Sequence, residues 1–369
     1  MSEIAQPNPF QVTGWAHALG GLVERHKPTL LRLAALETRL LDEQLAGRPL
    51  RAPVYISGLA RAGTTILLEI LSRHPAVATH QYRDYPLILV PYWWDRLLRY
   101  METKTAAPRT RAHGDRIQVT QHSPEAMEEA IWMAFFEHLH DQRVSNVLDR
   151  STSNPAFAAF YREHIGKLLL ARGAARYVSK ANYNVTRFAY LQEVFPDARF
   201  VLPVRQPETH LVSLMRQHRR FCEGLADNPK GREHLRRVGH FEFGPERRAI
   251  NTGPEGRAAG VAELWARGEE VRGWARYWAS VHGFLAAQLA RDDTLRCAVM
   301  VLRYEDLCAE PEATLAALFA HVELEPPAGL IEAYRGKLAA PSYYDQRLTD
   351  EEAAIVAEET AEVRRRFGY

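Results

Sequence analysis

The chain has 369 residues, 46% hydrophobic and 25% charged, the balance of an ordinary globular protein with a large core rather than a disordered or fibrous one. A formal net charge of +2 is too small to argue for nucleic acid or a membrane surface as partner. Cys222, Cys297 and Cys308 have neither a CxxC pair nor metal-ligand spacing, so a reducing compartment without disulfides is expected.

Residues 1–15 lack a charged segment followed by an apolar one, and no apolar stretch approaches the roughly 20 residues needed to cross a bilayer. A cytoplasmic protein without a transmembrane segment is therefore expected. From Trp15 to about Ala46, leucines such as Leu19, Leu22, Leu30, Leu33, Leu36 and Leu40 recur mostly at helical spacing. They predict an N-terminal helical extension over 1–50, interrupted at Pro28, ahead of one domain over 51–369. The extension suits a helix that covers one face of a sheet, or alternatively a packing or oligomerisation arm of a homo-oligomer.

Val54-Tyr55-Ile56 reads as a buried parallel strand, and the helix after it opens at Thr65. Between them, Gly58 and Gly63 keep the spacing of the phosphate loop G-x-x-x-x-G-K-[ST], while Thr64 stands where the lysine belongs. Strand, glycine turn and helix N-terminus form an anion site, because unpaired backbone N–H groups and the positive end of the helix dipole converge there. Arg61 adds a cation inside the loop. A plain glycine turn of a doubly wound domain is the alternative.

Further strands are predicted near 77–80, 176–180, 198–203 and 297–302, alternating with helices, which argues for a parallel sheet of about five strands covered on both faces. Ligands of such sheets sit at the carboxyl ends of the strands, where Arg61, Lys180, Arg205 and Tyr304 all fall. In Val204-Arg205-Gln206-Pro207 and the helix that follows, a guanidinium and the Ser213 hydroxyl suit a phosphate clamp. The Arg- and His-rich segment 224–268 reads either as a solvated face or as a flap, and Trp265, Trp274, Tyr277 and Trp278 as a core stripe.

Taken together, the Arg61 to Thr65 loop, Lys180, the Arg205-x-Pro207 turn with Ser213, and Tyr304-Glu-Asp-Leu307 resemble the sulfotransferases that use 3′-phosphoadenosine 5′-phosphosulfate (PAPS). The resemblance covers roughly residues 53–310 and implies a P-loop-like α/β domain. It implies that Arg61, Ala62, Gly63, Thr64 and Thr65 hold the 5′-phosphosulfate and that Lys180 stabilises the group in transfer. Arg205 and Ser213 would hold the 3′-phosphate, and Tyr304 would lie near the adenine. No metal is required, since side-chain cations replace the magnesium of a triphosphate. Many members carry a histidine two residues after the lysine as catalytic base. Asn182 stands there instead; it cannot take a proton, though it can hydrogen-bond a sulfuryl oxygen.

A group to accept the acceptor's proton is therefore sought elsewhere. Asp84 ranks first and His80 second, with His122 and Glu129 as further candidates; a capping or surface role is the competing reading of each. Beside Asp84, the apolar segment from Pro86 to Trp94 suits a flat or greasy acceptor, such as a phenol, a sterol-like alcohol or another lipid-like small molecule, or else the core. Two rivals remain. A kinase using ATP is disfavoured by Thr64, and a catalytically inactive nucleotide-binding scaffold is kept open by Asn182.

Overall fold

Five apolar segments pair as one all-parallel sheet: β1 (Val54–Ile56), β2 (Val77–Ala78), β3 (Arg176–Lys180), β4 (Arg199–Val204) and β5 (Val299–Arg303), in the order β2-β3-β1-β4-β5. The computed structural model describes residues 10–101, 109–110, 118–253, 257–338 and 347–369. Residues 1–9 of the expected extension and 254–256 of the basic segment lie outside the described residues. Each strand falls within two residues of its predicted bounds. A separate antiparallel pair, Arg109–Thr110 with Gln118–Val119, lies outside this sheet.

The strands are apolar on both faces because helices cover both. Alternation then sorts the side chains into two layers. Val54, Ile56, Val178 and Val201 pack with Leu67, Leu71 and Leu318, whereas Tyr55, Tyr177, Phe200 and Leu202 face the larger core with Trp132 and Trp278. Tyr55 stacks on Phe200 across β1 and β4 with ring centroids 5.8 Å apart. Register sets the functional edge: Ile56 lies opposite Lys180, and Val204 opposite Arg303, so the strands end together.

The expected N-terminal extension forms helices Gly14–Arg25, Lys27–Leu40 and Asp42–Ala46. The break falls at His26, and Pro28 occupies the first turn of the second helix, where its missing N–H costs no bond. This second helix covers the helix Pro155–Arg172 rather than the sheet itself. Lys167 donates to Ala34 O (3.0 Å) and pairs with Glu37 at 3.0 Å, while Thr38 donates to Glu163 (2.9 Å). The aromatic stripe behaves as core: Trp274 and Trp278 are buried on the helix Glu270–Arg291, and Trp265 packs on Trp274 with centroids 4.9 Å apart.

Glu37 and Lys167 are both buried, and burial raises the carboxyl's pKa and lowers the amine's. Removing one partner leaves the other charge uncompensated. Glu37→Ala should therefore cost about 3–5 kcal/mol in urea unfolding, while a Glu37→Leu, Lys167→Met double variant should lose far less. A loss below about 1 kcal/mol in the single variant would show that the pair does not anchor the N-terminal helices.

Candidate functional site

The turn after β1 is built by backbone constraints at three residues. Gly58 is pressed on β4, where a Cβ would stand 2.6 Å from Pro203 O. Gly63 has φ 99° and a Cβ there would meet the Tyr304 ring at 2.9 Å, so a side chain is excluded both by conformation and by space. Arg61 itself has φ 71°, a left-handed conformation costing a non-glycine residue about 1 kcal/mol. The helix Thr64–Ser72 starts without a side-chain cap, so its first amides turn toward the loop. Behind it, His210 bonds Ala60 O at 2.8 Å; burial holds its pKa well below the usual histidine range, so its neutral Nε2–H is the donor.

Ser57 locks this turn to the neighbouring strands. Its N–H donates to Val201 O (2.9 Å) and its hydroxyl to Ala181 O (2.6 Å), while Ala181 N donates to Ile56 O (3.2 Å). Lys180, buried at the end of β3, thereby takes a fixed place beside the loop. On the other side Arg205, 4% exposed, donates Nη1 to Arg61 O (3.3 Å) and Nε to Thr209 Oγ1 (3.2 Å), and its guanidinium lies 4.9 Å from the Tyr304 ring centroid. Ser213, on the helix Pro207–Leu225, accepts from Arg61 Nε at 3.2 Å. Five of the expected residues, Arg61, Gly63, Arg205, Ser213 and Tyr304, thus form one contact group, although up to 243 positions separate them in the chain. Glu305 braces the turn, accepting from Gln206 N (3.0 Å) and from the Tyr369 hydroxyl (2.5 Å).

Asp84 and His80 are placed differently. Both are buried, and Asp84 accepts from Gln81 N (2.9 Å), His80 Nδ1 (3.3 Å) and Arg172. Burial alone would raise the Asp84 pKa, but His80 and Arg172 outweigh it and hold it below the usual carboxylate value. His80 spends its other nitrogen on His164 Nε2 at 3.2 Å. These two residues belong to a charged knot that continues through Arg172 to Asp95, Arg83 and Arg99. His122 lies in the turn after the short antiparallel pair, its amide donating to Thr120 Oγ1 (3.2 Å). Glu129 is buried and held by Arg187 through two bonds of 2.7 and 2.9 Å.

A cavity of about 860 Å³ lies next to this last group. Its walls are the helix Gly14–Arg25 (Gly20, Val23, Glu24), the turn Tyr85, Pro86, Ile88 and Leu89, the helix Glu129–Phe135 (Ala130, Met133), and Arg236, Arg237, Phe241 and Arg248. The apolar segment after Asp84 thus contributes to both cavity and core. The basic segment 224–268 is largely committed: Arg237 pairs with Glu24 (2.9 Å), Arg247 with Glu270 (2.8 Å), and Arg248 donates to His140 O (3.0 Å). Two residues of the cavity wall, His140 and Phe241, touch Tyr183, three positions after Lys180. Asn182 Nδ2 donates to Glu242 (3.0 Å), Phe241 N donates to the Tyr183 hydroxyl (2.9 Å), and the His140 ring lies 4.5 Å from that of Tyr183. His140, which sequence reasoning did not single out, lines the cavity and bonds Glu129 through Nε2 at 2.7 Å. No motif spacing links Glu129 to His140, so only the fold reveals the pair.

The sequence profile of the sulfotransferase family matches residues 53–238, just over half of the chain, and the chain belongs to that family. No protein of curated function matches the sequence. Among solved structures, a sulfotransferase from Mycobacterium tuberculosis is 17% identical, with 93% of this chain and 86% of that one covered, at a TM-score of 0.47. One from Mycobacterium avium is 14% identical, with 88% and 80% covered and a TM-score of 0.46. A third, from Alicyclobacillus acidocaldarius, is 16% identical, with 86% and 95% covered and a TM-score of 0.39.

The Glu129 carboxyl has opposing influences: burial raises its pKa, whereas Arg187 and His140 lower it to about 2 from the ordinary 4.5. A depressed carboxylate stabilises the fold above its unfolded pKa, and that contribution disappears as pH falls toward the folded one. The stability gap between wild type and Glu129→Gln should accordingly shrink by about 3 kcal/mol between roughly pH 6 and pH 2 in denaturant titrations. A gap independent of pH would mean that Glu129 does not carry this charge.

Proposed function

We propose that the protein transfers the sulfuryl group of PAPS to a hydroxyl or amine of a small-molecule or lipid-like acceptor. The observation that carries this reading is the meeting of two anion-binding elements: Arg205 and Ser213, from the turn and helix after β4, both touch Arg61 of the glycine loop. The residues fit the donor chemically. The missing Cβ of Gly63 lets the Tyr304 ring close on the loop, and two guanidiniums and a lysine suit a ligand with phosphate groups at both ends.

In this reading the amides of Ala62 and Gly63 and the hydroxyls of Thr64 and Thr65 orient the 5′-phosphosulfate, with Arg61 above it. Lys180 neutralises charge on the phosphate that is left behind. Arg205 and Ser213 hold the 3′-phosphate, and Tyr304, which packs against Arg205, sits beside the adenine. Bound PAPS supplies an activated sulfuryl group on a good leaving phosphate. The acceptor enters from the cavity, whose Val23, Ile88, Leu89, Met133 and Phe241 suit an apolar body while the arginines at its edge suit a polar or anionic end.

Thermal unfolding tests the donor assignment. At about 100 times its dissociation constant, 3′-phosphoadenosine 5′-phosphate should add about 2.7 kcal/mol and raise the midpoint by several degrees, with ADP and magnesium-ATP giving much less. Arg205→Ala and Arg205→Lys should both weaken the 3′-phosphorylated nucleotide far more than ADP, because an ammonium cannot replace a bidentate fork. Equal losses for the two nucleotides would remove Arg205 from this role, and stabilisation by magnesium-ATP alone would restore the kinase reading.

A further inference from the structure

Sulfuryl transfer to an alcohol needs a group that removes the acceptor's proton, and Asn182 cannot do this. We propose that His140 is that base. The inference rests on the reading of the site as a PAPS-dependent sulfotransferase and assigns the one role that reading leaves open.

The geometry of His140 is that of an oriented base. Its Nε2 meets Glu129 Oε1 at 2.7 Å, and because the carboxylate only accepts, Nε2 carries a proton, which leaves Nδ1 as the acceptor of the neutral ring. Glu129 cannot swing away, since Arg187 grips both its oxygens and is itself buried against Trp132, 4.6 Å from the ring centroid. Around the ring stand Tyr183 at 4.5 Å and Phe241 at 4.7 Å; Arg248 bonds the backbone oxygen of His140, and the adjacent Asp141 pairs with Arg143. Nδ1 has no hydrogen-bond partner among the described residues, and the residue lines the cavity.

The position matches the task. Tyr183, against which His140 packs, lies three residues beyond Lys180, and the imidazole lines the cavity. Three of the other ionisable candidates are committed. His80 uses both ring nitrogens, Asp84 is bonded to Arg172, and Glu129 is the residue that positions His140. As the acceptor oxygen forms its bond to sulfur, its proton passes to Nδ1 of His140. The bond from sulfur to the bridging phosphate oxygen breaks, and its electron pair stays on that oxygen beside Lys180. The products are the sulfate ester, 3′-phosphoadenosine 5′-phosphate and a protonated imidazole that returns its proton to solvent.

The test compares two probe acceptors with PAPS: 4-nitrophenol, already ionised in mildly alkaline buffer, and a medium-chain alcohol such as octanol, which must lose its proton during transfer. In His140→Gln, kcat with octanol should fall about 100- to 10,000-fold while transfer to 4-nitrophenol changes less than about tenfold. Equal losses with both acceptors, or unchanged octanol turnover, would overturn the assignment. Nitrogen NMR of the His140 ring gives a second readout that needs no turnover: the Nε2–H tautomer with an Nδ1 signal moved by either probe supports the proposal, and a proton on Nδ1 refutes it. Binding of 3′-phosphoadenosine 5′-phosphate to the wild type keeps the two questions apart. Its absence would defeat the donor reading, whereas binding without the acceptor split would defeat only the base.

Discussion

Ser57 is the point on which the site depends. Its N–H and hydroxyl tie the end of β1 to β4 through Val201 and to the residue after β3 through Ala181, all within a solvent-free layer. Three strand ends lie at one level, two of them tied by these bonds, and each carries a cation: Arg61 after β1, Lys180 at the end of β3 and Arg205 after β4. Register alone would align the strands, but it would not fix the turns that follow them. Bonding the first turn residue to both neighbours extends the rigidity of the sheet into the site.

Placing like charges close together needs opposing constraints. Arg205 sits 4.9 Å from an aromatic centroid and bonds the backbone carbonyl of Arg61, so part of its donor capacity is spent within the site. Several buried charges elsewhere in the described residues are paired. Asp84 and Asp95 share Arg172, Glu37 meets Lys167, and Glu129 meets Arg187. Glu128 differs, taking hydroxyls from Tyr161, Tyr177 and Ser179 beneath β3. Those hydroxyls fasten β3 to the helix layer just ahead of Lys180.

The sheet was legible because a central parallel strand must be apolar on both faces, and segments such as Val54-Tyr55-Ile56 or Phe200-Val-Leu202 admit few other readings. The glycine turn and the Arg205 turn stood out because glycine, arginine and threonine at this spacing suit a backbone that wraps an anion. The contacts between them, such as Arg61 with Ser213, follow from that placement. Base candidates were harder. Asp84 and His80 follow β2 at a plausible distance, yet the sequence carries no sign that Arg172, far along the chain, closes on Asp84. Likewise, Glu129 and His140 are brought together by the path of the chain after a short helix, which no local pattern encodes. The N-terminal leucines correctly indicated helices, but periodicity does not say which surface a helix covers.

The cavity draws its walls from within the family-matched stretch and from both sides of it. The loop, Lys180, Arg205 and Ser213 lie inside the stretch shared with the family, whereas Gly20, Val23, Glu24 and Lys27 come from the N-terminal helices ahead of it and Arg248 from the segment after it. Selection can therefore reshape one side of the cavity through residues that bear no load in the sheet. Substitutions in a single peripheral helix can thus change the cavity while leaving intact the strand-end geometry that Ser57 secures.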